Sequence, residues 1–263
     1  MSKTRVEKIE DPSVHRLGPD TPFSISEAYR TIRTNLMFSL APKEKKIVVV
    51  SSSMPSEGKS TTCANLAIAM AQTSAKVMLV DGDLRKPVQH RIFGVENSKG
   101  LSSLLGGFDT VAEAVKRNVV KNLDLLTSGM LPPNPSELLG SKNMEILMGK
   151  MSEYYDYILI DSPPINLVTD AIVLSGHSAG ILMVVRAGHT TLEDIDRAIA
   201  ALNSAHGEIL GTVVSDVDAF GNSYYKKSGY YYYASEYDQA YRERTGDTKS
   251  PHRSSGEKAS AQS

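Results

Sequence analysis

The sequence predicts an α/β fold, a mainly parallel sheet with helices on both faces, and three observations predict it. Short aliphatic runs alternate with stretches of helical character along most of the 263 residues. That order is expected of strand–helix–strand units. One run, Ile47-Val48-Val49-Val50, leads through SSSMPSEGKSTT (51–62) into an Ala- and Leu-rich stretch at 63–70. This reads as strand, loop and helix. Two further apolar runs end on carboxylates, Asp81 with Asp83 and Asp161. In doubly wound sheets ligands gather at the carboxyl ends of strands, so these acids belong beside the 51–62 loop.

Taken in order, residues 1–22 are polar, charged and interrupted by Pro12, Pro19 and Pro22, and they predict a flexible arm. The main domain is expected over 23–220. Ser24 or Ser26 offers a helix N-cap, and a helix follows through Leu36. The strand at 47–50 and the helix after the loop come next, then a strand at 76–80. Residues 88–122 read as helix and loop around Leu101–Leu105, followed by a short strand at 123–127. Pro132, Pro133 and Pro135 impose an extended loop, and Ser136 is placed to cap a helix running to about Tyr155. Strands are expected at 157–160, 180–186 and 210–216. Between them, helices open near Thr169 and run from Thr191 to Ser204.

From Gly221 the composition changes. Eight of the twelve tyrosines lie between Tyr224 and Tyr241, and the remainder to Ser263 is mostly small and charged. A disordered tail is expected over 221–263. Because tyrosine rings favour burial, two bland explanations stand for the cluster: a strand that docks on a partner, or low-complexity drift.

The whole chain excludes several classes. Its formal net charge is −1, so no general basic field recruits nucleic acid. Cys63 is the single cysteine, which excludes an intramolecular disulfide and agrees with a reducing cytosol. No apolar stretch is long enough to span a bilayer, and MSKTRVEKIE lacks the apolar core of a signal peptide. Any membrane location is therefore expected to come through a partner.

The chemistry-bearing residues follow from these placements. Gly58-Lys59-Ser60 fits the end of a phosphate-binding loop. Unpaired N–H groups at a helix start cradle phosphate oxygens, Gly58 permits close approach, Lys59 reaches terminal phosphates and the Ser60 hydroxyl is a Mg²⁺ ligand. The bland alternative is a turn that merely caps a helix. Asp81 and Asp83 alternate in an extended stretch and point the same way, a costly pairing unless a cation or proton compensates. Mg²⁺ brought with a nucleotide supplies one, and a polar turn is the alternative. Glu27, Arg30 and Arg33 lie three apart on one helix face, where spacing alone favours a solvated charged surface.

Together these motifs resemble the bacterial tyrosine kinases, the capsular and exopolysaccharide autokinases. The resemblance is carried by SSSMPSEGKSTT (51–62), VMLVDGDLRKP (77–87), LPPNPSELL (131–139), ILIDSPP (158–164), Glu27-Arg30-Arg33 and the tyrosine cluster. It covers about residues 24–241. It implies a phosphate-loop NTPase fold like that of the partition ATPases, with ATP and Mg²⁺ as cofactors. Ser53, Met54, Pro55, Ser56, Glu57, Gly58, Lys59, Ser60 and Thr61 would hold the nucleotide. Ser60, Asp83 and Asp161 would hold Mg²⁺ directly or through water, and Lys59, Asp81, Asp83 and Asp161 would form the catalytic set. Asp81 would orient the incoming tyrosine hydroxyl or accept its proton. The acceptors would be Tyr224, Tyr225, Tyr230, Tyr231, Tyr232, Tyr233, Tyr237 and Tyr241.

The same resemblance implies that Glu27, Arg30 and Arg33 join subunits into a ring, and that a separate transmembrane activator recruits the cytoplasmic chain to the inner face of the membrane. A tyrosine phosphatase and other tyrosine-phosphorylated proteins would be further partners. Where the family places Asn near the end of the last strand to read adenine, Ser215-Asp216 stands here; base recognition then falls to backbone groups, with Arg186 stacking on the base. Two alternatives remain at this point. One is a partition-type ATPase switch, disfavoured by Met54 where those proteins carry a signature lysine. The other is a nucleotide-bound assembly regulator without transfer activity.

Overall fold

The computed structural model describes residues 12–217. Seven strands form one sheet: β1 (Ile47–Ser52), β2 (Val77–Asp81), β3 (Val115–Val120), β4 (Leu123–Leu126), β5 (Tyr157–Asp161), β6 (Gly180–Arg186) and β7 (Ile209–Ser215). Their spatial order is β3-β4-β2-β5-β1-β6-β7. Every neighbouring pair is parallel except β3 with β4. The helices are α1 (Phe23–Leu40), α2 (Lys59–Ala71), α3 (Gln89–Phe93), α4 (Leu101–Leu105), α5 (Val111–Ala114), α6 (Pro135–Leu139), α7 (Lys142–Ser152), α8 (Asp170–Ser175) and α9 (Leu192–Ser204).

The strands are apolar on both faces because both faces are covered. Ile47, Val49, Met78, Val80, Ile158 and Ile160 enter a core shared with Met144, Leu147, Leu174, Ala198 and Leu202 from α7, α8 and α9. Their neighbours Val48, Val50, Val77, Leu79 and Leu159 enter a second core with Leu36 and Leu40 of α1 and Leu66 and Met70 of α2. Alternation along each strand thus divides one apolar run between two cores. Full burial of a side chain such as Leu66 contributes about 1.5–3 kcal/mol.

Several elements depart from expectation. Helix α1 starts at Phe23 with Pro22, and neither Ser24 nor Ser26, at its N-cap. It extends beyond Leu36 because Leu40 reaches the core. Residues 12–17, expected within a flexible arm, pack on the domain. Pro12–His15 form a 3₁₀ turn, Asn65 of α2 binds the Leu17 N–H and the His15 carbonyl at 2.8 and 2.9 Å, and Arg16 sits over the Phe93 ring.

The 88–122 region contains an unforeseen strand, β3, whose alternation is interrupted by a register shift and by Asn118 at φ 50°. Its Lys116 and Arg117 suit an exposed sheet edge. The helix expected from Ser136 to Tyr155 is two helices. α6 begins one residue earlier with Pro135, whose missing N–H costs nothing in a first turn. Gly140 ends it, and Ser141 then caps α7 by accepting from the Met144 N–H. Residues 221–263 and their eight tyrosines lie outside the described residues.

Between Asp81 and Asp83 the chain leaves β2 against β5, and Gly82 donates its N–H to the Asp161 carbonyl at 2.8 Å. A Cβ on Gly82 would stand 2.8 Å from that oxygen and 2.8 Å from Ile160 Cγ2. Gly82→Ala is therefore expected to cost about 1–3 kcal/mol through overpacking, read as a lower urea midpoint. An unchanged midpoint would contradict the close approach.

Candidate active site

The site forms where β1, β2 and β5 end side by side. Register places Asp161 beside Val50 of β1 and beside Asp81 of β2. The loop from β1 to α2 is shaped by a buried carboxylate. Glu57 accepts from Ser53 Oγ at 2.9 and 3.1 Å, from the Met54 N–H at 3.0 Å and from Thr190 Oγ1 at 2.5 Å. Its side chain thus works on the loop itself. Ser56 and Gly58 both take positive φ, 64° and 86°. Gly58 is the N-cap of α2, and no side chain caps that helix. Its first-turn N–H groups consequently suit an anion.

Lys59, the first residue of α2, lies among the acids. Its Nζ is 3.0 Å from Asp83 Oδ2 and 3.5 Å from Asp161 Oδ1, and it donates to Ser60 Oγ at 3.0 Å. Burial disfavours charge on Lys59, but Asp161 and Asp83 outweigh it and raise its pKa above the ordinary lysine value. Asp83 is further held by the Lys86 N–H at 2.9 Å. Asp81 is fully buried, with Oδ2 accepting from the Val88 and Gln89 N–H groups at 3.2 and 3.0 Å. Burial, then the charge of Asp161, pushes its pKa well up. Burial also raises the pKa of Asp161, against the opposing influence of Lys59, Gln89 and Ser60.

Two buried oxygens in this cluster, Asp81 Oδ1 and Asp161 Oδ1, accept no hydrogen bond. A cation with oxygen affinity fits that arrangement. Mg²⁺ takes one or two carboxylates and completes its shell with phosphate oxygens and water, and Ser60 Oγ adds an adjoining hydroxyl. The residues present therefore fit Mg²⁺ with a nucleotide phosphate on the α2 N-terminus.

Around this centre lies a second set of contacts. Arg85 donates to the fully buried Asp170 through Nε and Nη2 at 2.8 and 3.0 Å and to Ser136 Oγ at 3.1 Å. Ser136 also bonds Asp170. These ties fix α6 and α8 to the turn that carries Asp83. On the other side of the loop, a cleft of about 470 Å³ is lined by Tyr29, Gly58, Thr61, Arg186, Ser215 and Asp216 among others. Arg186 pairs with Asp216 at 2.7 Å and donates to the Ser56 carbonyl at 3.3 Å. Ser215 Oγ donates to the Glu57 carbonyl at 2.7 Å.

The structure thus brings together Ser53 to Thr61, Asp81, Asp83, Asp161 and Arg186. The Glu27, Arg30 and Arg33 face is separate. Arg30 pairs with Glu27 in its own helix, and Arg33 donates to the Ala69 carbonyl of α2 at 2.9 Å. Sequence reasoning passed over Gln89, Asp170 and the clasp made by Glu57. Arg85 and Gln89 stand two and six residues beyond Asp83, but their partners Asp170 and Asp161 lie 85 and 72 residues away in the chain.

Known proteins resemble this chain in sequence and in fold. The AAA domain family model matches residues 44–210. The chain is 40% identical over 218 residues to the putative tyrosine-protein kinase CapB of Staphylococcus aureus, covering 82% of this chain and 94% of that protein. It is 42% identical over 211 residues to the tyrosine-protein kinase YwqD of Bacillus subtilis, covering 80% and 87%. The solved kinase domain of the Escherichia coli tyrosine kinase ETK aligns with a TM-score of 0.72 at 31% identity, covering 82% of this chain and 87% of that one.

The burial of Asp81 generates a stability prediction. A carboxyl whose pKa rises on folding contributes its stability below the unfolded value, near 4, and loses it as pH climbs through the folded value. Each unit of rise corresponds to about 1.4 kcal/mol. Without metal or nucleotide, Asp81→Asn should match wild type below about pH 4 and exceed it at pH 8. Urea unfolding at both pH values checks this. A variant less stable than wild type at pH 8 would contradict it.

Proposed function

The chain belongs to the bacterial tyrosine-protein kinases, and on that premise we propose that it transfers the γ-phosphate of ATP to the tyrosine cluster of its own C-terminal region, between subunits. The observation that carries this reading is Lys59. It stands in the first turn of an uncapped helix, paired with Asp83 and Asp161, where a phosphate would exchange for the carboxylates. In the proposed reaction the phenolic oxygen forms a bond to the γ-phosphorus and the bond to the β-bridging oxygen breaks, so ADP leaves with the electron pair. The phenol proton passes to Asp81, whose Oδ1 accepts no hydrogen bond from the protein. Ser60, Asp83 and Asp161 would hold Mg²⁺, which neutralises charge on the transferring phosphoryl group. Lys59 orients the phosphates, and the cleft beside Arg186, Ser215 and Asp216 takes the base.

The proposed acceptors are Tyr224, Tyr225, Tyr230, Tyr231, Tyr232, Tyr233, Tyr237 and Tyr241. A ring of subunits would present each tail to a neighbouring site, with Glu27, Arg30 and Arg33 at the contact. Arg33 has donors to spare beyond its bond to Ala69. Each phosphotyrosine adds about −1.5 to −2 charges, so several together would drive the tail from an acidic site and favour monomers. A phosphatase would restore the ring. Among the described residues no helix is long and apolar enough to cross a membrane. We assign recruitment to the inner face of the membrane to a separate transmembrane activator, and the output to control of capsular or exopolysaccharide synthesis and export.

Mixing two variants tests the reading. A Lys59→Met subunit with an intact tail should show phosphotyrosine only when an active subunit, its eight tail tyrosines replaced by Phe, is added. Alone, its labelling should fall by about 10²–10³-fold. Label that never reaches the inactive partner, while wild type labels itself, would exclude transfer between subunits.

A further inference from the structure

Gln89 opens α3 and is fully buried. Three bonds leave it toward three different parts of the site. Its main-chain N–H donates to Asp81 Oδ2 at 3.0 Å. Its Nε2 donates to Asp161 Oδ2 at 2.8 Å and to the Ser60 carbonyl at 3.0 Å. Its own Oε1 is buried and accepts no hydrogen bond. One residue therefore touches the carboxylate that ends β2, the carboxylate that ends β5 and the first turn of α2.

The division of labour on Asp161 is informative. Gln89 occupies Oδ2, while Oδ1 accepts no hydrogen bond and lies 3.5 Å from Lys59 Nζ. A carboxylate free to rotate would exchange its two oxygens. Held by Gln89 through Oδ2, this one turns Oδ1 toward Lys59. The bond to the Ser60 carbonyl adds a second constraint, since Ser60 also carries the hydroxyl assigned to the metal. The amide thus sets the spacing between the two proposed ligand groups.

We propose that Gln89 is a positioning residue for Mg²⁺, holding Asp161 and the Ser60 turn at the separation that the metal–nucleotide complex requires. The assignment rests on the nucleotide-site reading above. It makes no contact with the transferring phosphoryl group necessary. Partners of metal ligands typically change metal affinity by about 10–100-fold when removed, and such a change differs from simple damage to packing because it depends on the metal.

The test is binding of a fluorescent ADP analogue to the full chain, titrated with Mg²⁺ and repeated in EDTA. Gln89→Met keeps the length of the side chain and removes the amide. It should raise the Mg²⁺ concentration for half-maximal binding by on the order of tenfold, with binding in EDTA unchanged. Gln89→Asn keeps an amide too short to bridge both acceptors, and it should show the same Mg²⁺ shift; it supplies the readout where Gln89→Met proves unstable. An unchanged Mg²⁺ dependence, or an equal loss with and without Mg²⁺, would overturn the assignment while wild type binds normally. Wild-type protein that binds no nucleotide at all would overturn the site reading together with it.

Discussion

Three buried carboxylates gathered around one lysine are the constraint on which the rest of this structure depends. Asp81, Asp83 and Asp161 are each 3% exposed or less, and like charges so placed repel with little water to screen them. The fold answers with Lys59, with main-chain N–H groups from 85–89, and with the Gln89 amide. None of these completes the neutralisation, since two carboxylate oxygens still accept no hydrogen bond. A divalent cation fits such a centre, since Mg²⁺ takes one or two carboxylates. Removing one partner from such a cluster is expected to destabilise it, because a buried charge would then lack compensation.

Helix α2 transmits this constraint outward. Its first turn carries Lys59 and Ser60, and residues such as Cys63, Leu66, Ile68 and Met70 enter the second core. Near its far end the Ala69 carbonyl accepts from Arg33 of α1, while Asn65 clasps residues 15 and 17. The charged face of α1 is therefore bonded to the same helix whose uncapped N-terminus is proposed to hold phosphate. A contact made through Glu27, Arg30 and Arg33 would act on a rigid element already joined to the site. On the opposite side, Arg85, Asp170 and Ser136 tie the Asp83 turn to α6 and α8.

Much of this was legible in the sequence because it is local. Strands β1, β2, β5 and β6 are continuous apolar runs, and their catalytic candidates stand at or just beyond the carboxyl ends, where strand direction alone places them. β3 was not legible, since its alternation is interrupted at Asn118 and its edge position leaves most of it half-buried or exposed. The α6–α7 break did carry a local signal, a helix-stopping Gly140 followed by a capping Ser141, which was passed over. Packing of residues 15 and 17 involves Asn65, some fifty positions away in the chain. Gln89 and Asp170 were missed for the same reason. Their bonds to Asp161 and Arg85 span 72 and 85 residues, a juxtaposition set by chain crossing that no local pattern announces.

The central claim is that this acidic, lysine-compensated site transfers phosphate to tyrosine and does not merely hydrolyse nucleotide. The most direct measurement incubates the purified full chain and the proposed activator with γ-labelled ATP and Mg²⁺, then separates labelled protein from free phosphate. The account predicts label on tyrosines between Tyr224 and Tyr241, lost when EDTA removes the metal. Free phosphate alone, with no phosphotyrosine on the chain, would contradict it.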